Sequence, residues 1–163
     1  IEHGSILDEE TAKDIVEHGA FMVPTLLVMD VLAKSAEAGD IPHYAQMKLR
    51  QVHTQMPVSV DLAAQAGVEL GSGTDILGAR QSGRGAELSL KARVIGPMNA
   101  ILSATSTNAR LFRMEDRIGR VEEGMEADLI GIAGDPLGDI NVLADGGNVR
   151  LVVKGGQVVK ETI

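Results

Sequence analysis

The chain has 163 residues, enough for one packed domain. Its 15 basic and 23 acidic side chains give a net charge of −8, and its three aromatic residues are Phe21, Tyr44 and Phe112, so it has neither the basic footprint nor the stacking platforms of a nucleic-acid binder. The lack of cysteine excludes disulfides, thiolate chemistry and cysteine-based zinc fingers, and no apolar run approaches the roughly 20 residues of a membrane span.

The start, Ile1-Glu2-His3-Gly4, has no signal-peptide region and reads as the tail of a buried strand entering a loop. The expectation is a soluble, cytoplasmic protein whose N-terminus is a cut. Leu7 to Gly19 reads as a helix, with Asp8 as N-cap, acids in the first turn, Ala12, Ile15 and Val16 on one face and Gly19 at the stop. Residues 21–28, Phe-Met-Val-Pro-Thr-Leu-Leu-Val, form a continuous apolar run that predicts a strand buried on both faces, with Pro24 near its end. Residues 35–45 read as turn-rich. A helical pattern then carries Met47, Val52 and Met56, passes Pro57, continues through Val58, Leu62, Ala63 and Ala66, and ends at Gly67. Residues 68–75 predict a third strand, followed by a glycine-rich loop through Gly85. Strands alternating with helices argue for a parallel sheet, open or closed into a barrel. From Ala86 to Leu111 the pattern is helical, with Pro97 opening a new helix and Ser106 or Thr107 able to cap another. Beyond it lie strand candidates at 128–132, 149–154 and 157–160, the last two joined by the hairpin signal Gly155-Gly156. A boundary near residue 112 separates an α/β part, 1–111, from a small β part, 112–163.

His3 precedes a glycine that lets the chain turn away and leave the imidazole at the mouth of a sheet, where it either ligates a metal or serves as a hydrogen-bonded strand-end histidine. Asp75 ends Gly71-Ser72-Gly73-Thr74-Asp75 at the carboxyl side of a strand, the side on which parallel α/β proteins build sites. Its carboxylate either binds metal or takes a proton there, or it caps a turn. Neither a P-loop nor a GxGxxG fingerprint is present. His18, His43 and His53 lack HxH or HExxH spacing, and His18 suits a helix C-terminus. Arg80 and Arg84 follow Asp75 and either meet an anionic substrate group or are simply exposed; Thr25 and Arg80 lie near predicted strand mouths, a matter of position alone.

Ile1-Glu2-His3-Gly4, Val23-Pro24-Thr25-Leu26, Gly73-Thr74-Asp75, Ala104-Thr105 with Asn108-Ala109, Gly119 through Ile130 with Gly124-Met125-Glu126-Ala127-Asp128-Leu129-Ile130, and Gly134-Asp135-Pro136-Leu137 occur in that order. Together they resemble the C-terminal part of the amidohydrolase superfamily, in its prolidase and imidazolonepropionase-like branch. The resemblance covers essentially the whole chain. It implies part of a (β/α)8 TIM-type barrel plus part of a small β-sandwich, with residues 1–3, 21–26 and 68–75 as the sixth, seventh and eighth barrel strands. It also implies His3 as a metal ligand and Asp75 as both metal ligand and catalytic general base, with one or two divalent ions, zinc by expectation, in the complete enzyme. The substrate implied is a small molecule, a dipeptide or N-acyl amino acid cleaved at its amide bond; a cyclic amidase or deaminase is the alternative, and a noncatalytic scaffold or assembly subunit is the alternative of another class. The first-strand His-x-His pair, the fourth-strand lysine and the fifth-strand histidine of that family have no counterparts here. A barrel of this kind takes about 250 residues, so the chain alone is expected to be inactive: a truncated sequence, a proteolytic half or one chain of a split protein, whose partner is the N-terminal part of the same enzyme. Homo-oligomers are implied by the resemblance alone, and neither nucleic acid nor membrane is an expected partner.

Overall fold

The computed structural model describes residues 1–78 and 83–162. The chain is mixed α/β and divides into two compact units, Ile1–Gln81 and Ser82–Ile163.

The first unit begins with an extended stub at residues 1–2 and the helix α1 (Glu9–Glu17). Asp8 caps α1 by accepting from the Thr11 amide at 2.8 Å, with Glu9 and Glu10 in the first turn where the helix dipole favours negative charge. Hydrogen bonding from Thr11 holds the Asp8 carboxyl below the usual carboxylate range. Ala12 and Ile15 are buried, whereas Val16, expected on the same face, is 40% exposed.

The run 21–28 divides rather than forming one strand. The strand β1 takes Phe21–Met22, Val23 bridges to Glu2, and Leu26 opens a helix, α2 (Leu26–Glu37), which also replaces the first part of the expected turn-rich segment. Pro24 has no amide for a ladder, and an unbroken apolar run serves a buried helix face as well as a buried strand. The helix α3 (His43–Ala66) follows, continuous through Pro57 and closed at Gly67. The strand β2 is confined to Glu69–Leu70, shorter than the expected 68–75.

The ladder is parallel. Phe21 pairs with Glu69 and Met22 with Leu70, while Glu2 bridges Val23 in the same sense. Backbone bonds from Val23 to Ile1 (2.9 Å), His3 to Val23 (3.0 Å) and Gly71 to Met22 (2.9 Å) extend this ladder on both sides of the middle strand. Consequently residues 3, 25 and 71–75 leave the strands at one common, carboxyl end. Met22, Met56, Val60 and Ala63 are at most 1% exposed and form the centre of this unit's core.

The second unit opens with α4 (Ala86–Ile95), α5 (Pro97–Ala104) and α6 (Ser106–Leu111). Pro97 stands at the first turn of α5 as expected. The cap position of α6 is Thr105 rather than Ser106 or Thr107, and its hydroxyl turns back to donate to the Ile101 carbonyl at 2.8 Å. Lys91 and Glu87 are buried on α4, their charged atoms 4.0 Å apart. The Lys91 ammonium also donates to Ser103 Oγ at 3.3 Å, and Ser103 donates to the Ala100 carbonyl at 2.7 Å. Burial pushes the Lys91 amine down to about 8 against the opposing pull of Glu87.

Strands β3 (Leu129–Ile132), β4 (Val149–Lys154) and β5 (Gln157–Glu161) form an antiparallel sheet in chain order. Gly155 and Gly156 turn the β4–β5 hairpin with φ of 53° and 79°, the positive values a two-residue primed turn requires. Asp128 fastens the turn by pairing with Lys154 and accepting from the Gly155 amide at 2.7 Å. Among the described residues, no helix is long and apolar enough to cross a membrane.

Candidate functional site

His3 and Asp75, singled out by the sequence, share an unusual backbone. Both occupy the left-handed region, with φ of 68° and 52°, where residues other than glycine are uncommon. His3 turns the chain directly after the bridge between Glu2 and Val23, Asp75 turns it five residues beyond the end of β2, and both residues are exposed. Donors placed at the carboxyl end of a parallel sheet have the position in which α/β proteins assemble their chemistry.

The conformation of His3 is fixed from both sides. Its amide donates to the Val23 carbonyl at 3.0 Å, and its ring Nδ1 lies 2.8 Å from the hydroxyl of Thr25. Nε2 is thereby the ring nitrogen turned away from Thr25. The chain after His3 is also held: Ser59 on α3 donates to the Ser5 carbonyl at 3.1 Å and accepts from the Leu7 amide at 3.0 Å. Ser59 is 2% exposed, so this latch is drawn from the core rather than from the surface.

Thr25 lies between the two candidate donors. It is 3% exposed and stands at the N-cap of α2, yet its side chain makes no capping bond. A threonine at this position ordinarily satisfies an orphan helix amide, worth about 1 kcal/mol; here the hydroxyl faces His3 instead. On its other side, a Cβ at Gly73 would lie 3.9 Å from the Thr25 methyl and 3.0 Å from the Val23 side chain. Glycine at 73 therefore allows the segment leading to Asp75 to lie close against residues 23–25. Sequence position near a strand mouth marked Thr25 only as a residue lining the substrate side; its burial and its bond to His3 make it part of the support beneath the site.

The other histidines have places of their own on the helices. His18 caps the end of α1, its Nδ1 2.8 Å from the Asp14 carbonyl. His43 starts α3 and is exposed, and His53 lies 3.9 Å from Asp30, which itself pairs with Lys34 at 2.7 Å. Arg84 is exposed, and Arg80 lies outside the described residues. A cavity of about 300 Å³ sits over α1 and α3, lined by Glu9, Lys13, Asp61 and Gln65 among others, and includes none of His3, Thr25 and Asp75.

Imidazole and carboxylate are donors that a divalent ion such as zinc accepts, so His3 and Asp75 fit a metal in kind. In number they do not suffice: among the described residues, no group of three or more His, Cys, Asp or Glu side chains comes together to hold an ion.

The sequence model of the amidohydrolase family matches residues 1–159. Among characterised relatives, the chain is 30% identical over 162 residues to the ochratoxinase of Aspergillus niger, spanning 98% of this chain and 33% of that protein. Among solved structures it is similar to a prolidase complexed with N-methylphosphonate-L-proline, with a TM-score of 0.92 and 39% identity over 99% of this chain and 40% of that one. It is similar also to a Xaa-Pro dipeptidase with methionine bound in its active site, with a TM-score of 0.89 and 33% identity over 98% of this chain and 39% of that one. The chain thus spans a third to two fifths of the length of the proteins it matches.

Proposed function

The chain belongs to the amidohydrolase family, and from that premise we propose that it is the C-terminal part of a metal-dependent hydrolase cleaving the amide bond of a dipeptide or N-acyl amino acid. The observation that carries this reading is that His3 and Asp75 both stand in left-handed turns beyond the carboxyl ends of the two segments that flank β1 in one parallel ladder. Similarity to a prolidase and a Xaa-Pro dipeptidase supports the substrate class.

In this reading residues 1–111 contribute three strands and their helices to a (β/α)8 barrel, and residues 112–163 contribute to a β-sandwich. Exposed Ile130, Val158 and Val159 on the β-sheet support the second assignment, because apolar side chains in such numbers on one small sheet call for a covering layer. The remaining strands and metal ligands belong to the N-terminal part of the complete enzyme, a cytoplasmic protein that forms homo-oligomers.

His3 and Asp75 would hold one or two zinc ions together with those ligands. The metal, when bound, lowers the pKa of water and polarises the scissile carbonyl. The Asp75 carboxylate, exposed at the strand end, accepts the proton of the attacking water and returns it to the leaving nitrogen. His3, held through its backbone amide and Nδ1, offers Nε2 in a fixed direction.

The test is turnover by the zinc-loaded full-length enzyme on Xaa-Pro dipeptides, N-acyl amino acids and cyclic amides. Hydrolysis of the first two classes is expected, and Asp75→Asn should keep the fold while lowering kcat by about 100- to 10,000-fold. Turnover confined to cyclic amides would move the substrate assignment, and an Asp75→Asn enzyme with undiminished kcat would remove Asp75 as the base.

A further inference from the structure

We propose that Thr25 is the positioning residue of His3: its hydroxyl accepts the Nδ1 proton of the imidazole and so presents the Nε2 lone pair outward to the metal. The inference rests on the reading of His3 as a ligand and adds to it a second residue, a tautomer and a direction.

Three structural features converge on it. The Nδ1 to Oγ1 distance of 2.8 Å is that of a well-formed hydrogen bond. Thr25 is buried and occupies a helix N-cap, the position where a threonine hydroxyl ordinarily bonds the backbone, but its side chain makes no such bond. Its hydroxyl is thus diverted from a local partner to one 22 residues away in sequence. Thirdly, the rotamer is constrained by the two unlike branches of the side chain. The methyl faces the glycine segment that leads to Asp75 while the hydroxyl faces His3, and a branched side chain in a buried site exchanges rotamers only against steric resistance.

The chemistry follows from the two ring nitrogens. A neutral imidazole that donates through Nδ1 carries its lone pair on Nε2, and the partner of the donating nitrogen sets both the tautomer and the ring plane. The Val23 carbonyl fixes the backbone of His3, and Thr25 fixes the ring, so residues 23–25 hold the whole residue. The Thr25 methyl also lies on the side of Gly73, two residues before Asp75.

The experiment uses the full-length protein in four forms: wild type, Thr25→Val, Thr25→Ser and His3→Ala. Zinc affinity is measured by competition with a chromophoric chelator, and the His3 tautomer by long-range nitrogen-15 NMR of the metal-free protein. Valine keeps the shape but removes the hydroxyl; serine keeps the hydroxyl. Thr25→Val is expected to weaken zinc binding by about 10- to 100-fold and to give His3 a mixture of tautomers, as removal of an outer hydrogen-bond partner does elsewhere. Thr25→Ser should stay close to wild type on both measures, and His3→Ala should weaken binding more than either. Wild-type affinity and tautomer in Thr25→Val, beside a loss in His3→Ala, would overturn the role of Thr25 and leave His3 a ligand. Equal losses in the valine and serine variants would overturn it too, because the methyl and not the hydroxyl would then matter. Undiminished zinc affinity in His3→Ala would instead overturn the reading of His3. The wild-type spectrum alone is decisive if Thr25→Val does not fold: a proton on Nε2 refutes the proposed direction of the bond.

Discussion

One methyl group at position 4 would collide with the core. A Cβ on Gly4 would stand 2.3 Å from the sulfur of Met22, and because Met22 is fully buried its thioether would have to shift within the packed core to make room. Gly4 also has φ +57°, a conformation that costs an L-residue about 1–2 kcal/mol. Adding about 1–3 kcal/mol for overpacking, Gly4→Ala should lose roughly 2–5 kcal/mol, read from urea denaturation; wild-type stability would mean that Met22 repacks freely. At this scale the sequence was partly transparent. Gly4 after His3 advertised a sharp turn, and the small residues before Asp75 advertised a carboxylate emerging at the carboxyl end of a strand, where exposed donors sit. Thr25 advertised nothing, since its partner is His3, 22 residues earlier, and no periodicity relates a strand-end histidine to a cap residue of a later helix.

Elements with local signals were read well, and those that depend on tertiary packing were not. Asp8 and Gly19 bracket α1, Gly67 closes α3, and Gly155-Gly156 turns the last hairpin, each through chemistry contained within a few residues. The run 21–28 failed because leucine and valine in an unbroken series satisfy a buried strand and a buried helix alike, and only the parallel neighbours of Phe21 and Met22 decide where the strand stops. The pairing of α4 with α5 supplies a prediction of its own. Lys91 has a folded pKa of about 8 against 10.5 for a solvated lysine, so between these values the unfolded chain binds a proton that the folded chain has released. Stability should therefore be level below about pH 8 and rise between about pH 8 and 10.5, by at most ~3 kcal/mol for a shift of this size. Urea denaturation at about pH 7.5 and about pH 10.5 checks this: Lys91→Met should remove the rise, and a wild-type curve without it would show that Lys91 ionises as an exposed lysine does.

At the scale of the molecule, order in the site is borrowed from far along the chain. The turn after His3 is held by Ser59, which serves the Ser5 carbonyl and the Leu7 amide at once. Replacing a buried group that satisfies two backbone partners costs about 1–3 kcal/mol, so Ser59→Ala should lower stability by that amount and speed hydrogen exchange at the Leu7 amide. Protection at Leu7 equal to wild type would show that the loop keeps its place without the latch. The ordering also has a history in time. The bonds from Ser59 span 52 and 54 positions, so during synthesis Ser5 and Leu7 are made well before their common partner. The turn that aims His3 therefore waits for α3, as the β1–β2 ladder waits for residues 69 and 70 beyond it, so the candidate site takes its final form only once segments far along this unit are in place.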